Sequence, residues 1–163
     1  MSNKPLVMVV DDEVDLADTI SNTIRESGKY VSLTAYSAKE ALGLIEEHKN
    51  FFKVNNTTIR LIILDIKMPE MDGLEFLAKV RETYPPEKIG VLMLTAWEDP
   101  DKWEKAREGF VVAYLKKPFK ADELLSAIDR FFAGKDKWMI EQTKWETHAR
   151  ETKLHAQEKE KKD

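Results

Sequence analysis

Leu61-Ile62-Ile63-Leu64-Asp65-Ile66-Lys67-Met68-Pro69 is the stretch whose reading decides the fold. Four consecutive large aliphatic residues read as a strand buried on both faces, the pattern of a parallel sheet covered by helices. The run ends in a carboxylate, and Pro69, which lacks an amide donor, stops the ladder from continuing. Asp65 is therefore expected at the carboxyl end of a central strand, the edge of an open α/β sheet where ligands bind. An Asp there is also an ordinary turn residue, so its meaning depends on how the other strands end.

Leu6-Val7-Met8-Val9-Val10 is a second apolar run, and it too ends in acids: Asp11, Asp12 and Glu13. From residue 13 to about 27, Val14, Leu16, Ala17, Ile20 and Ile24 recur at near-helical spacing. Asp12 or Glu13 is placed to cap that helix and Gly28 to end it. Residues 30–36 are β-rich and partly alternating, which predicts a strand nearer the sheet edge. Ser37 then caps a helix carrying Ala38, Ala41, Leu42, Leu44 and Ile45, and residues 48–58 read as a helix end followed by an Asn/Thr turn. Beyond the central strand, Asp72-Gly73 turns into a helix through Leu74, Phe76, Leu77 and Val80, which Tyr84-Pro85-Pro86 breaks. Val91-Leu92-Met93-Leu94 is the fourth strand and ends in Thr95-Ala96. Asp99-Pro100 starts a helix, with Pro at its first position, and Gly109 ends it. Residues 110–115 are the fifth strand, ending in Lys116-Lys117-Pro118-Phe119. Residues 121–132 form an amphipathic helix with Leu124, Leu125, Ile128, Phe131 and Phe132 at core spacing. Strand–helix alternation repeated five times predicts an α/β fold with a doubly wound, five-stranded parallel sheet, because parallel neighbours need helical crossovers.

The chain of 163 residues fits one domain with something left over. A hydrophobic content of 42% suffices for a core, and a net charge of −4 argues against a nucleic-acid-binding surface. Zero cysteines exclude disulfides and thiolate-bound metal. No stretch approaches the roughly 20 apolar residues of a membrane span, so a soluble, cytoplasmic protein is expected.

Four strand ends thus carry, in order, Asp11/Asp12, Asp65, Thr95 and Lys117, all on one edge of a parallel sheet. Carboxylates gathered within about 5 Å repel by roughly 3 kcal/mol per pair at an effective dielectric near 20, so the cluster calls for a cation. All-oxygen ligands without His or Cys select a hard ion, and a shallow carboxylate site suits Mg²⁺. Thr95 offers a hydroxyl and Lys117 a mobile point charge. With a metal they can neutralise the oxygens of a phosphoryl group, which makes Asp65 the natural nucleophile. Taken singly, Asp11, Thr95 and Lys116 read as caps or solvated turn residues.

Asp11-Asp12, Asp65-Ile66-Lys67-Met68-Pro69-Glu70-Met71-Asp72-Gly73, Thr95-Ala96 and Lys117-Pro118-Phe119 together resemble the receiver domain of two-component response regulators, from about residue 6 to 132. The resemblance implies a flavodoxin-like strand order 2-1-3-4-5 and a regulator phosphorylated on Asp65 by a sensor histidine kinase or phosphotransfer protein, with Mg²⁺. It implies that Asp12 and Asp65 ligate the metal with the backbone carbonyl of Lys67, and Asp11 acts through water. It places Ala96 among the cofactor-binding residues, selects Lys117 over Lys116 because Pro118 follows it, and makes Tyr114 the aromatic switch residue that turns inward when Thr95 swings to the phosphate. Lys67 and Trp97, two positions after Asp65 and Thr95, suggest slow hydrolysis of the aspartyl phosphate.

Residues 4–133 are expected to form the receiver unit and 134–163 a charged helical extension continuing from the last receiver helix. Trp138 and Trp145 stand seven apart in that tail, a spacing compatible with a solvated helix or with a dimerising or partner-binding one. The tail lacks a helix-turn-helix pattern. The favoured reading is a single-domain switch acting on an unknown downstream protein, without nucleic-acid or membrane binding and not an enzyme beyond its own phosphorylation and dephosphorylation. A haloacid-dehalogenase-type phosphatase would need an acid where Lys67 stands. A phosphorylation-independent scaffold and a receiver fragment of a larger regulator or hybrid kinase are the two further readings that the same residues allow.

Overall fold

Five short apolar segments pair in parallel: β1 Leu6–Val10, β2 Val31–Ala35, β3 Ile59–Asp65, β4 Gly90–Thr95 and β5 Ala113–Lys116. They form one sheet in the order β2-β1-β3-β4-β5. The computed structural model describes residues 3–49, 57–96 and 111–134. Among these, four helices cover the sheet: α1 Val14–Glu26, α2 Ala38–Glu47, α3 Gly73–Thr83 and α4 Ala121–Phe132.

The double burial expected of the central strand follows from strand geometry, in which successive side chains point to opposite faces. Ile62 and Leu64 join a core with Met8, Val10, Ile45, Phe76, Leu77 and Met93, under α2 and α3. Leu61 and Ile63 join the other core with Val7, Val9, Ile20, Ile24, Leu92 and Leu124, under α1 and α4. All four β3 aliphatics are fully buried, which at about 25 cal/mol per Å² makes this strand the main hydrophobic anchor of both layers. β2 is an edge strand, as its alternating pattern predicts.

Local signals are obeyed in most places. Ser37 Oγ accepts from the Glu40 amide at 3.1 Å, and Asp72 Oδ1 accepts from the Leu74 and Glu75 amides at 2.9 Å each, starting α3 beside the end of β3. Gly28 ends α1 in the left-handed region, φ 72°. Three expectations need correction. Neither Asp12 nor Glu13 caps α1: Glu13 is the N-cap residue and its side chain makes no cap bond. The fifth strand begins at Ala113 rather than 110, although the Val112 amide still reaches Val91 O at 2.8 Å. The central strand starts at Ile59, two residues ahead of the aliphatic run. At its far end α4 stops at Phe132, with Gly134 at φ 67° and its amide bonded to Phe131 O at 3.2 Å. The helix expected after Pro100, Trp97, and the tail beyond Gly134 lie outside the described residues. In the 48–58 segment an isolated antiparallel bridge joins Lys49 to Thr57.

Gly73 shows how tightly α3 is set against the end of β3. Its amide donates to Ile66 O at 2.8 Å, and a Cβ there would stand 2.2 Å from the backbone oxygen of Asp65. Backbone cannot yield as a side-chain tip can. Gly73→Ala is expected to cost about 2–3 kcal/mol, read as a lower urea midpoint at unchanged slope.

Candidate functional site

Register assembles the site. Val10 pairs with Leu64, so Asp11 and Asp65, each one residue further on, emerge side by side from β1 and β3. Asp65 itself pairs with Leu94, and Thr95 pairs with Lys116, which brings the ends of β4 and β5 alongside. The Lys117 amide then donates to Thr95 O at 2.8 Å, tying the loop that carries the lysine to the strand that carries the threonine.

The side chains converge as the strand ends require. Carboxylate oxygens of Asp11, Asp12 and Asp65 all lie within 4.8 Å of one another. Lys117 Nζ donates to Asp65 Oδ1 at 2.8 Å and stands 3.5 Å from Asp11 Oδ2. Asp11 is 1% exposed and Asp65 7%, whereas Asp12 is exposed. Asp11 Oδ1 accepts from the Glu13 amide at 3.0 Å, which aims the carboxylate, while Asp11 Oδ2 is buried with no hydrogen bond among the described residues. A buried carboxylate oxygen left in this way, in an all-oxygen cluster with a second acid open to solvent, suits a hard divalent cation such as Mg²⁺. The residues present therefore fit that ion.

Burial raises the affinity of both inner acids for protons. For Asp65, loss of water pushes the pKa up, opposed by the Lys117 hydrogen bond and assisted by the charge of Asp11. For Asp11 the same desolvation dominates, opposed by the Glu13 amide and by Lys117. Desolvation works against the Lys117 charge, but its hydrogen bond to Asp65 and the two carboxylates together raise its pKa. One ammonium thus holds against two half-compensated anions.

The other residues singled out in the sequence occupy definite places. Thr95 is buried at the end of β4, and Ala96 follows it, exposed. Tyr114 is half-buried on β5 and packs against the core under α2 and α3. Lys67 is exposed in the loop after β3, outside the carboxylate cluster itself. Sequence reasoning missed three contributors: the Glu13 amide, whose role no residue type announces; Gly73, which reads only as a turn; and Glu70, which sits at φ 67° in the loop after Asp65.

The sequence profile of the response regulator receiver domain matches residues 7–129. The chain belongs to the receiver domain family. It is 31% identical over 124 residues to the transcriptional regulatory protein PdtaR of Mycobacterium tuberculosis, covering 76% of this chain and 54% of that protein. It is 25% identical over 125 residues to sporulation initiation phosphotransferase F of Bacillus subtilis, covering 77% of this chain and 91% of that protein. The chemotaxis protein CheY4 of Vibrio cholerae superposes with a TM-score of 0.66 at 29% identity, over 78% of this chain and 98% of that one. Receiver domains are signalling modules that work with histidine kinases or phosphotransfer proteins and bind Mg²⁺ in an acidic pocket. No helix among the described residues is long and apolar enough to cross a membrane.

The raised carboxyl pKa values set the pH dependence of stability. A carboxyl whose folded pKa lies above its unfolded value binds protons more readily when folded, so it costs stability at neutral pH, and that cost disappears as pH falls below the unfolded pKa. Asp11→Asn is therefore expected to be more stable than the parent at pH 7 without divalent ions. The difference should shrink towards zero near the unfolded value of about 4, as followed by thermal melts across pH. Mg²⁺ should raise the melting temperature of the parent and do so less for Asp11→Asn.

Proposed function

We propose that this receiver is a phosphorylation switch in which Asp65 accepts a phosphoryl group from a phosphohistidine of a sensor kinase or phosphotransfer protein. The observation that carries this reading is the Lys117 Nζ contact with Asp65 Oδ1 inside a cluster of three carboxylates. An oxygen of Asp65 attacks phosphorus in line, the P–N bond breaks, and the donor imidazole keeps the electron pair and takes up a proton. Lys117 already stands where a negative oxygen needs a counter-charge, so little reorganisation is required as charge moves onto the phosphoryl group. Asp12 and Asp65, with the backbone carbonyl of Lys67, would hold Mg²⁺, with Asp11 acting through water, and the ion would supply positive charge to neutralise the phosphoryl oxygens. Thr95 donates its hydroxyl to the phosphoryl group, Ala96 lies beside it, and Tyr114 on the neighbouring strand reports the move of Thr95 by turning inward.

The acting unit is the receiver, residues 4–133, followed by the 134–163 extension, working in the cytoplasm as a single-domain regulator through protein contacts. Support for a protein-contact output comes from the Bacillus subtilis relative, which is named a phosphotransferase and is nearly spanned by the aligned region.

Incubation with acetyl phosphate and Mg²⁺ is expected to add the mass of one phosphoryl group, and Asp65→Ala to abolish the addition. Beryllium fluoride should shift the spectrum of the parent and leave Asp65→Ala unchanged; an unchanged response in that variant would mean that the site only holds the fold. Lys67 is exposed two residues from the phosphoacceptor, and its ammonium shields the acyl phosphate from water. The phosphorylated protein is expected to persist for minutes or longer, with Lys67→Ala decaying several-fold faster. A lifetime of seconds in the isolated protein would refute the shielding role.

A further inference from the structure

The amino edge of the sheet carries the opposite charge from the carboxyl edge. Lys4 lies just ahead of β1, Lys88 just ahead of β4, and Arg60 is the second residue of β3. These three strands are neighbours in the order β1-β3-β4, and adjacent strands lie about 4.8 Å apart. Parallel pairing therefore collects cations at one end of the sheet as it collects carboxylates at the other. Lys4, Arg60 and Lys88 line one open cavity of about 680 Å³, with Leu6, Val31 and Phe132 among its other walls.

Arg60 reaches this cavity through an irregularity in the pairing. Leu6 pairs with Ile59 and Val7 with Leu61, so the register passes over Arg60. A bulge of this kind re-aims one side chain: Arg60 is exposed while every other residue of β3 is buried. Such a guanidinium adds nothing to either core, and among the described residues neither it nor Lys4 nor Lys88 joins an ion pair. Glu87 is the acid on the cavity wall, and its charge also bears on the Arg81 guanidinium. Apolar surface lies beside the cations. Leu6 and Phe132 are half-buried and Val31 is exposed. The Phe132 ring stacks on Tyr30 with centroids 5.1 Å apart, which fixes its plane.

We propose that the amino-edge cavity binds a nucleoside polyphosphate, with its phosphates on Lys4, Arg60 and Lys88 and its base on Leu6, Val31 and Phe132. Arg60 supplies a planar fork that meets phosphate oxygens in pairs, and the two lysines supply point charges. The volume lies within the range of about 300–1,000 Å³ usual for small-molecule sites. From Ile59 to Asp65 the central strand rises about 20 Å, at about 3.3 Å per residue. A ligand at the amino edge therefore does not compete with a phosphoryl group at the carboxyl edge, and the proposal stands apart from the phosphoacceptor reading.

Titration calorimetry of the full chain with ATP tests it, in EDTA so that the acidic edge recruits no phosphate through a metal. Saturable binding is expected, with a dissociation constant below about 1 mM. Arg60→Gln should weaken it about tenfold. Lys4→Gln with Lys88→Gln, which leaves the strands untouched, should do likewise. Inorganic triphosphate, which has no base, should bind several-fold more weakly than ATP, and Asp65→Ala should bind ATP as the parent does. No saturation at millimolar ATP would overturn the proposal, as would affinity unchanged in both cation variants. Loss of binding in Asp65→Ala would place the nucleotide at the other edge. Triphosphate binding as tightly as ATP would remove the base seat, and tighter binding of a Glu-rich peptide would make the patch a protein contact; each of these also overturns the proposal. The acetyl phosphate experiment depends on Asp65 and Mg²⁺, neither of which this assay uses, so the two readings fail separately.

Discussion

Two carboxylates withdrawn from water beside one ammonium are the constraint on which the site depends. Asp11 and Asp65 are both nearly buried, and Lys117 donates a hydrogen bond to one while standing 3.5 Å from the other. Breaking up such a group by removing the cation leaves uncompensated buried charge, whereas apolar replacement of the whole group is often neutral or stabilising. A fold under selection for stability alone has no use for this arrangement. The burial is offset only in part by Lys117, which stands 3.5 Å from Asp11 Oδ2 and leaves that oxygen without a hydrogen bond among the described residues.

The sheet holds the group together without any special device. Parallel pairing of β1 with β3 and of β3 with β4 aligns the strand ends within a residue of each other, so three strands that stop in reactive residues must present them at one edge. Hydrophobic burial of Leu61 to Leu64 on both faces is what keeps that register: a slip of one residue would exchange the two core faces of β3. The same rigidity explains the loop after Asp65. Gly73 and the Asp72 cap pin its far end, and closing so short a path places Glu70 in the left-handed region at a cost of about 1 kcal/mol or more. The cap contributes a comparable amount.

Most of this was legible because it is written in side-chain type. Asp11, Asp65, Thr95 and Lys117 terminate apolar runs, and topology alone gathers them. What escaped the sequence is backbone work. The Glu13 amide is taken by Asp11, so the acid next to the helix start serves the site rather than capping α1. The Lys117 amide is taken by Thr95 O. Neither bond depends on which residue supplies the amide, so neither leaves a compositional trace. Gly134 was visible as the end of the globular unit, and its left-handed φ of 67° accompanies the end of α4. The start of β5 was misplaced for a related reason: Val111 and Val112 are as buried as strand residues, and apolar character alone does not separate a buried approach from the ladder itself.

The Thr95–Lys117 backbone bond has a mechanical meaning. A lysine on a free loop would follow its counter-charge independently of the neighbouring strand. Here its amide is tied to the carbonyl of the threonine, which couples the lysine loop to the end of β4, beside β5, where Tyr114 pairs with Met93. On the other side the same loop continues into Pro118 and Phe119, which line a groove between α1 and α4. One loop therefore joins the site to a helical layer: its lysine hydrogen-bonds Asp65, and its apolar residues line the space between α1 and α4.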